Sequence, residues 1–140
     1  QGGKTDPVTL YHENMHQWWG DNVSEGSFAM TFFKEGMATL SEDLFTARTA
    51  ETAAGGPSTS SGQQAFEQSL AQSFKMTYDS TGDFWTQAPS NPTAATLFSS
   101  SATYSRPAAA YIALRQILGH PNFVRALLQI QSVFGGRSIT

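Results

Sequence analysis

Two histidines and one glutamate lie close together in the segment His12-Glu13-Asn14-Met15-His16, which has the spacing of an HExxH motif. Residues four apart lie on one face of a helix, so His12 and His16 can direct both imidazole rings at one point, as two zinc ligands require. Glu13 is one position further round the helix and can stand beside the metal without binding it. A general base for a zinc-activated water belongs in that position. The alternative is a solvated helix face that carries two histidines.

Glu35 is the candidate third ligand. Eighteen residues separate it from His16, and it lies in the segment Lys34–Ala38, which reads KEGMA. A second helix would bring its carboxylate to the two histidines. Two histidines and one glutamate leave a fourth position for water, which is the pattern of catalytic rather than structural zinc sites. Two of the three histidines in the chain fall in the HExxH motif, which favours the metal site over the solvated helix face.

The segments around both motifs resemble one family of enzymes, closely over residues 9–45. Residues 12–24, HENMHQWWGDNVS, resemble the HELxHQWxGxxVx segment of the aminopeptidase N family of zinc metallopeptidases, which are gluzincins. Residues 32–42, FFKEGMATLSE, resemble the WLNEGFAxYxE segment of that family. This resemblance implies that His12, His16 and Glu35 bind one zinc ion and that Glu13 is the general base and acid.

Two charged residues near Glu35 bear on the surroundings of the metal. The family usually has asparagine before its third ligand, where this chain has Lys34. A cation directed at the zinc would weaken metal binding, so we expect Lys34 to point to solvent. Glu42 lies two helical turns after Glu35 on the same face and is a candidate hydrogen-bond partner for a ligand histidine. A solvated glutamate is the alternative at this position.

A tyrosine near the start of a later helix is the second candidate for catalysis. Residues 104–109, YSRPAA, resemble the start of the family's YxKGAxxxxxL segment. The resemblance implies that the Tyr104 hydroxyl donates a hydrogen bond to the oxyanion formed during peptide hydrolysis. Arg106 keeps the charge of the family's lysine, whereas Pro107 replaces a glycine. Because proline is tolerated only in the first turn of a helix, we expect this helix to begin near Arg106.

The spacing of apolar residues predicts a mainly α fold of about five helices with long loops and no clear strand pattern. Asp6 and Pro7 begin the first helix, which runs to Trp19 and ends at Gly20. Helical spacing predicts that four of its residues face the core: Val8, Tyr11, Met15 and Trp18. The helix that carries Glu35 ends at about Ala50, and three more helices are expected over residues 63–78, 102–118 and 121–134. The last helix has an apolar stripe that is expected to be buried: Phe123, Val124, Leu127, Leu128 and Phe134.

Composition narrows the classes of partner. The 140 residues carry a net charge of −3 and 14% charged residues, which gives no argument for a nucleic acid or a membrane surface as partner. No apolar stretch reaches transmembrane length. The chain has no cysteine, which removes disulfides and thiolate metal sites. Few lysines and abundant serine, threonine, alanine and glycine favour a secreted parent of bacterial type.

We therefore expect a zinc-dependent peptidase, by resemblance an aminopeptidase acting on peptides. The alternative is a zinc-binding module without catalysis, although structural zinc sites usually contain cysteine. Residues 1–140 begin without methionine and are expected to form a single partial domain, the helical lobe of a thermolysin-like catalytic domain, with the resemblance covering residues 9–134. The family's β-rich upstream lobe, with its G-x-M-E-N segment, is absent from the sequence, so little aminopeptidase activity is expected from these residues alone. An exposed apolar patch near Trp19 or Phe28 is expected where that lobe, or a second copy of the chain, would pack.

Overall fold

Five α-helices and a two-stranded parallel sheet build the chain in a computed structural model, which describes residues 6–139. The helices are α1 Pro7–Met15, α2 Thr31–Ala53, α3 Ser60–Tyr78, α4 Arg106–Leu118 and α5 His120–Phe134. The strands are β1 Val23–Glu25 and β2 Arg137–Ile139. The mainly α fold with five helices is confirmed. None of the described helices is long and apolar enough to cross a membrane.

Helix α2 is the centre of the fold, and α1, α3 and α4 pack around it. Leu40 of α2 is buried in an apolar core together with Leu70 of α3 and Ile112 of α4. Burying a side chain of this size contributes about 1.5–3 kcal/mol. Gly36 permits a close crossing with α4, because a Cβ atom at this position would lie 2.4 Å from the Cβ of Pro107. The residues carried by α2 are therefore held firmly relative to α1 and α4.

Helix α1 begins as predicted but ends earlier than predicted. Asp6 is its N-cap and accepts a hydrogen bond from the backbone N–H of Val8 at 3.5 Å, with Pro7 at the first helical position. The predicted end at Trp19 is wrong, since the helix ends at Met15. The HExxH motif consequently lies at the last turn of α1 rather than in its middle.

The early end of α1 has a cause in the backbone. The N–H of His16 donates to the carbonyl of Glu13 at 3.3 Å, which makes a tighter turn than the α-helical one. Gly20 then adopts a φ of +136°, a conformation that residues with a side chain rarely reach. Its N–H donates to the carbonyl of Val23 at 2.9 Å. The chain thus turns away from the helix axis directly after the second motif histidine.

The apolar face predicted for the first helix is wrong in part. Tyr11 and Trp18 are exposed at 49% and 47%, and no residue of α1 is fully buried. The buried residue is Trp19, which is 4% exposed and packs edge-on against Phe33 with ring centres 5.3 Å apart. Helical spacing no longer applies beyond the end of α1, so Trp19 rather than Trp18 turns inward. Trp19 itself is therefore not part of an exposed patch, whereas Phe28, the other residue named for it, is 73% exposed.

Helix α4 begins at Arg106, as the position of Pro107 predicted. A π-helical turn, Ser100–Ser105, precedes it, so the single helix expected over residues 102–118 is divided in two. Pro107 is buried in the first turn, where its missing N–H leaves no helical hydrogen bond unmade. Tyr104 lies in the π-helical turn. Its position is therefore set by an irregular segment and not by the helix itself.

The two strands were not predicted. Strand β1 pairs in parallel with β2, with Val23 opposite Arg137 and Glu25 opposite Ile139. Strands of three residues are too short to show an alternating pattern, and the two partners lie more than a hundred residues apart in the chain. Gly136, with a φ of +73°, turns the chain from the end of α5 into β2. The pairing ties the end of the described chain to the segment that follows the HExxH motif.

The apolar stripe of α5 is not buried as predicted. Phe123 alone among the stripe residues is fully buried, at 3% exposure. Leu127 is half-buried, whereas Val124, Leu128 and Phe134 are exposed at 36%, 64% and 36%. The helix uses one edge of its stripe to close the core. The remaining stripe forms an apolar surface on the described part of the chain.

Candidate metal centre

Three side chains from two helices converge at one point. Helix α1 and its end supply His12 and His16, and α2 supplies Glu35. The Nε2 atoms of His12 and His16 lie 3.4 and 3.3 Å from Oε2 of Glu35. One potential ligand atom from each residue lies within 4.8 Å of the other two. The structure therefore brings together the three residues that the sequence motifs singled out.

Each histidine is oriented by a hydrogen bond from its other ring nitrogen. Nδ1 of His12 donates to Oε1 of Glu42 at 2.5 Å, and Nδ1 of His16 donates to the carbonyl of Trp19 at 3.1 Å. With a proton held on Nδ1, each ring has Nε2 as its remaining nitrogen, which donates to Glu35 while the ring is protonated and can bind a metal once the ring is neutral. This is the tautomer that a metal ligand requires. Of the two alternatives for Glu42, the structure has the one in which it contacts a motif histidine.

The electrostatics of the cluster are strongly coupled. Burial disfavours the charged form of Glu35, but hydrogen bonds with His12 and His16 outweigh burial and lower the pKa of its carboxyl to about 2. Hydrogen bonding to Glu35 also raises the pKa of each histidine, and burial of the rings only partly opposes the rise. Glu35 is only 5% exposed, yet its carboxylate stays ionised because the two histidines donate hydrogen bonds to it.

The donor set fits a zinc ion. Two imidazole nitrogens and one carboxylate oxygen face one another, and when the rings are neutral all three atoms carry lone pairs, so a cation between them relieves their mutual repulsion. Nitrogen and oxygen donors of this number are those of catalytic zinc sites, which keep a position open for water or substrate. His120, the third histidine, is exposed at the start of α5 and lies outside the cluster.

Tyr104 and Glu13 lie beside this cluster. The ring of Tyr104 is 6.0 Å from the ring of His12, measured between centres, with the two planes inclined by 30°. Burial raises the pKa of the Tyr104 hydroxyl, and the nearby charges of Glu35 and Glu13 raise it further. The hydroxyl therefore keeps its proton at neutral pH and can act as a donor. Glu13 is exposed, and it is close enough to Tyr104 for its charge to contribute to this rise in pKa.

Lys34 does not point to solvent, so that prediction is wrong. Its Nζ lies 2.9 Å from Oε1 of Glu25 and 4.0 Å from Oε1 of Glu35, and its side chain is 26% exposed. The physical reason is an ion-pair partner on β1 that the sequence did not reveal. Glu25 compensates the charge of Lys34, which was expected to be solvated. Glu25 was not predicted as a partner of Lys34. A lysine beside a metal ligand was the available signal, because such a cation needs a nearby anion.

A cavity of about 380 Å³ opens between the start of α4 and the loop that follows α3. Arg106 closes one side of it. Its Nη1 donates to the carbonyl of Gln87 at 2.6 Å, and its guanidinium lies 5.0 Å from the ring centre of Trp85. Arg106, two residues after Tyr104, thus holds this loop against the start of α4 rather than reaching the metal centre. The lining residues are Phe32, Trp85, Pro89, Ser90, Arg106, Pro107 and Ala110.

Comparison with known proteins identifies the family. No curated protein and no solved structure matches the chain. The family described as Peptidase family M1 domain matches residues 5–140, a range that includes the HExxH motif, Glu35 and Tyr104. Enzymes of this family hydrolyse peptide bonds with zinc. The geometry of the cluster and the extent of the match agree, and the chain belongs to the M1 family of metallopeptidases.

Proposed function

We propose that this chain binds one zinc ion through His12, His16 and Glu35 and that the site removes N-terminal residues from peptides. The observation that supports the proposal most directly is the convergence of three ligand atoms within 4.8 Å. The hydrogen bonds that hold the protons of both histidines on Nδ1 add to it, since they leave Nε2 free to bind metal. Zinc, when bound, acts as a Lewis acid toward water and the substrate carbonyl.

Glu13 is the general base and acid of the proposed reaction. Its carboxylate accepts a proton from the water whose oxygen attacks the carbonyl carbon. The same carboxyl group then delivers that proton to the amide nitrogen as the carbon–nitrogen bond breaks, so that the products are a carboxylate and an amine. Glu13 takes up one proton and later gives it away, so it ends in its starting state. A positioned general acid and base of this kind contributes about 10²–10⁴-fold to the rate.

Tyr104 stabilises the negative charge that develops on the carbonyl oxygen. Its hydroxyl remains protonated because burial raises its pKa. A fixed donor aimed at developing charge stabilises the transition state more than the substrate, which is the source of its contribution to rate. The position of the Tyr104 ring, 6.0 Å from the ring of His12 between centres, supports this role.

The specificity for a free N-terminus rests on the family resemblance. We place the groups that would hold the substrate's amine on a β-rich lobe of the parent protein, upstream of this sequence. The exposed ring of Phe28, at 73%, is part of the surface proposed to meet that lobe or a second copy of the chain. Without the lobe, a peptide is poorly positioned over the cluster, and positioning accounts for several kcal/mol of a typical barrier.

Metal analysis of the purified chain tests the proposal. Wild type with added zinc should retain one zinc per chain after gel filtration, and Glu35→Gln and His16→Ala should retain much less while keeping the helical circular dichroism of wild type. His120→Ala is the matched control, because this histidine lies outside the cluster, and it should retain zinc. Wild type without zinc would overturn the site. A full-length parent with zinc but no peptidase activity would favour the non-catalytic module.

A further inference from the structure

The two oxygens of the Glu35 carboxylate have different neighbours. One of these neighbours is Lys34, which forms an ion pair with Glu25. Oε2 faces Nε2 of His12 and of His16, at 3.4 and 3.3 Å. Oε1 lies on the other side, 4.0 Å from Nζ of Lys34. A carboxylate beside a metal can bind with one oxygen or with both. The positive charge of Lys34 attracts Oε1, the oxygen on the side away from the histidines.

The side chain of Lys34 is held in place from two directions. Its Nζ contacts Oε1 of Glu25 at 2.9 Å, and both side chains are largely buried, at 26% and 16% exposure. Its stem passes Gly20, where a Cβ atom would lie 3.5 Å from Cδ of Lys34 and 3.6 Å from Nδ1 of His16. Both distances are ordinary van der Waals contacts, so the lysine stem packs beside Gly20 without depending on its missing side chain.

The position of Glu25 is in turn fixed by the small sheet. Glu25 is the last residue of β1 and lies opposite Ile139 of β2. The next N–H, that of Gly26, donates to the carbonyl of Ile139 at 2.7 Å. These contacts place the Glu25 carboxylate where it can compensate the charge of Lys34. A lysine at this position without a partner would repel a bound metal ion, whereas the pair is neutral as a whole.

We propose that Lys34 is a positioning residue that, together with Glu25, restricts Glu35 to binding the metal with Oε2 alone. This inference rests on the proposed zinc site. Binding by one oxygen leaves the remaining coordination position free for water and the substrate carbonyl. Binding by both oxygens would occupy part of that space. The role of Glu25 is to neutralise Lys34, so that the lysine directs the carboxylate without lowering metal affinity.

The test uses cobalt in place of zinc, because the visible absorption of Co²⁺ weakens when its coordination number rises from four to five. Lys34→Met should show weaker visible absorption than wild type without weaker Co²⁺ binding, since the same change removes a positive charge. Lys34→Arg should keep the wild-type spectrum. Lys75→Met, in an exposed ion pair with Asp79 on the other side of the fold, is the matched control and should change neither property.

Glu25→Gln should weaken Co²⁺ binding, whereas Lys34→Met should not. The Glu25 substitution leaves the charge of Lys34 uncompensated beside the metal and should lower Co²⁺ affinity about 10-fold, within the range usual for partners of metal ligands. The double variant Lys34→Met/Glu25→Gln removes both charges of the neutral pair and should bind Co²⁺ about as tightly as wild type. A pair that serves stability alone would lower the denaturation midpoint of both variants and leave spectrum and affinity unchanged.

The outcomes separate this inference from the zinc site itself. Failure of the wild-type chain to bind Co²⁺ would overturn both the proposed function and the role of Lys34. Binding by wild type with the same spectrum in Lys34→Met would overturn the positioning role alone and leave the zinc site standing. Circular dichroism of each variant shows whether it is folded, and Lys34→Arg supplies the comparison if Lys34→Met is not.

Discussion

Replacement of Glu42 by alanine tests how the hydrogen bond to His12 contributes to metal binding. Oε1 of Glu42 accepts from Nδ1 of His12 at 2.5 Å and keeps the ring proton on that nitrogen. Without this acceptor, the proton can occupy Nε2, the atom that faces Glu35, and it must leave before a metal can bind there. Partners of this kind typically strengthen metal affinity by about 10–100-fold, which equals about 1.4–2.7 kcal/mol.

The assay is competition for zinc between the protein and a chromophoric chelator. Glu42→Ala should bind zinc about 10–100-fold more weakly than wild type. Glu42→Gln should lose less, because its amide oxygen still accepts the hydrogen bond but carries no charge. Asp79→Ala removes an exposed carboxylate that pairs with Lys75 and should leave zinc affinity unchanged. Wild-type affinity in Glu42→Ala, with the fold intact, would refute the reasoning.

Three further predictions concern catalysis and stability. Glu13→Gln in the full-length parent should keep its zinc and lose about 10²–10⁴-fold in kcat, and a smaller loss would show that Glu13 is not the base. Tyr104→Phe should lower kcat by about 10²–10³-fold with KM little changed, whereas unchanged kcat would remove the tyrosine from the mechanism. A hydrogen bond from Arg115 lowers the pKa of Glu67 below its usual value of about 4.5, so this pair stabilises the fold above that pH and loses its contribution as pH falls through the lowered pKa. Urea titrations should therefore show Glu67→Gln less stable than wild type at neutral pH, with a difference that shrinks below about pH 4.5, and a constant difference would contradict this account.

Local geometry explains what could be predicted of the site. The four-residue spacing of His12 and His16 predicts a shared direction because both residues lie within one helical turn. Glu35 could be added only by its resemblance to a known segment, since spacing along the chain does not give the distance between two helices. Glu42 stayed undecided for the same reason. Its place two turns after Glu35 predicted the correct face of α2, and only the packing of α1 against α2 supplied the histidine.

The features that were missed depend on contacts between distant segments. Lys34 was expected in solvent because its partner, Glu25, lies on a strand too short to show a pattern. The predicted end of α1 lies four residues too late, because Trp18 fits the apolar spacing of the helix and Gly20 is the first strong stop signal. The stripe of α5 was expected to be buried because amphipathic spacing predicts which face is apolar, but not whether a neighbour covers it.

The pairing of β1 with β2 has a consequence for the order in which the chain assembles during synthesis. Residues of β2 emerge from the ribosome more than a hundred positions after those of β1, a delay of roughly 6–23 s at ordinary elongation rates. Both histidines and Glu35 are available throughout that interval, and α1 and α2 can dock against each other. Glu25 has no strand partner until Ile139 arrives. The three ligands can therefore meet early, while the charge balance around Lys34 is completed only after β2 has emerged.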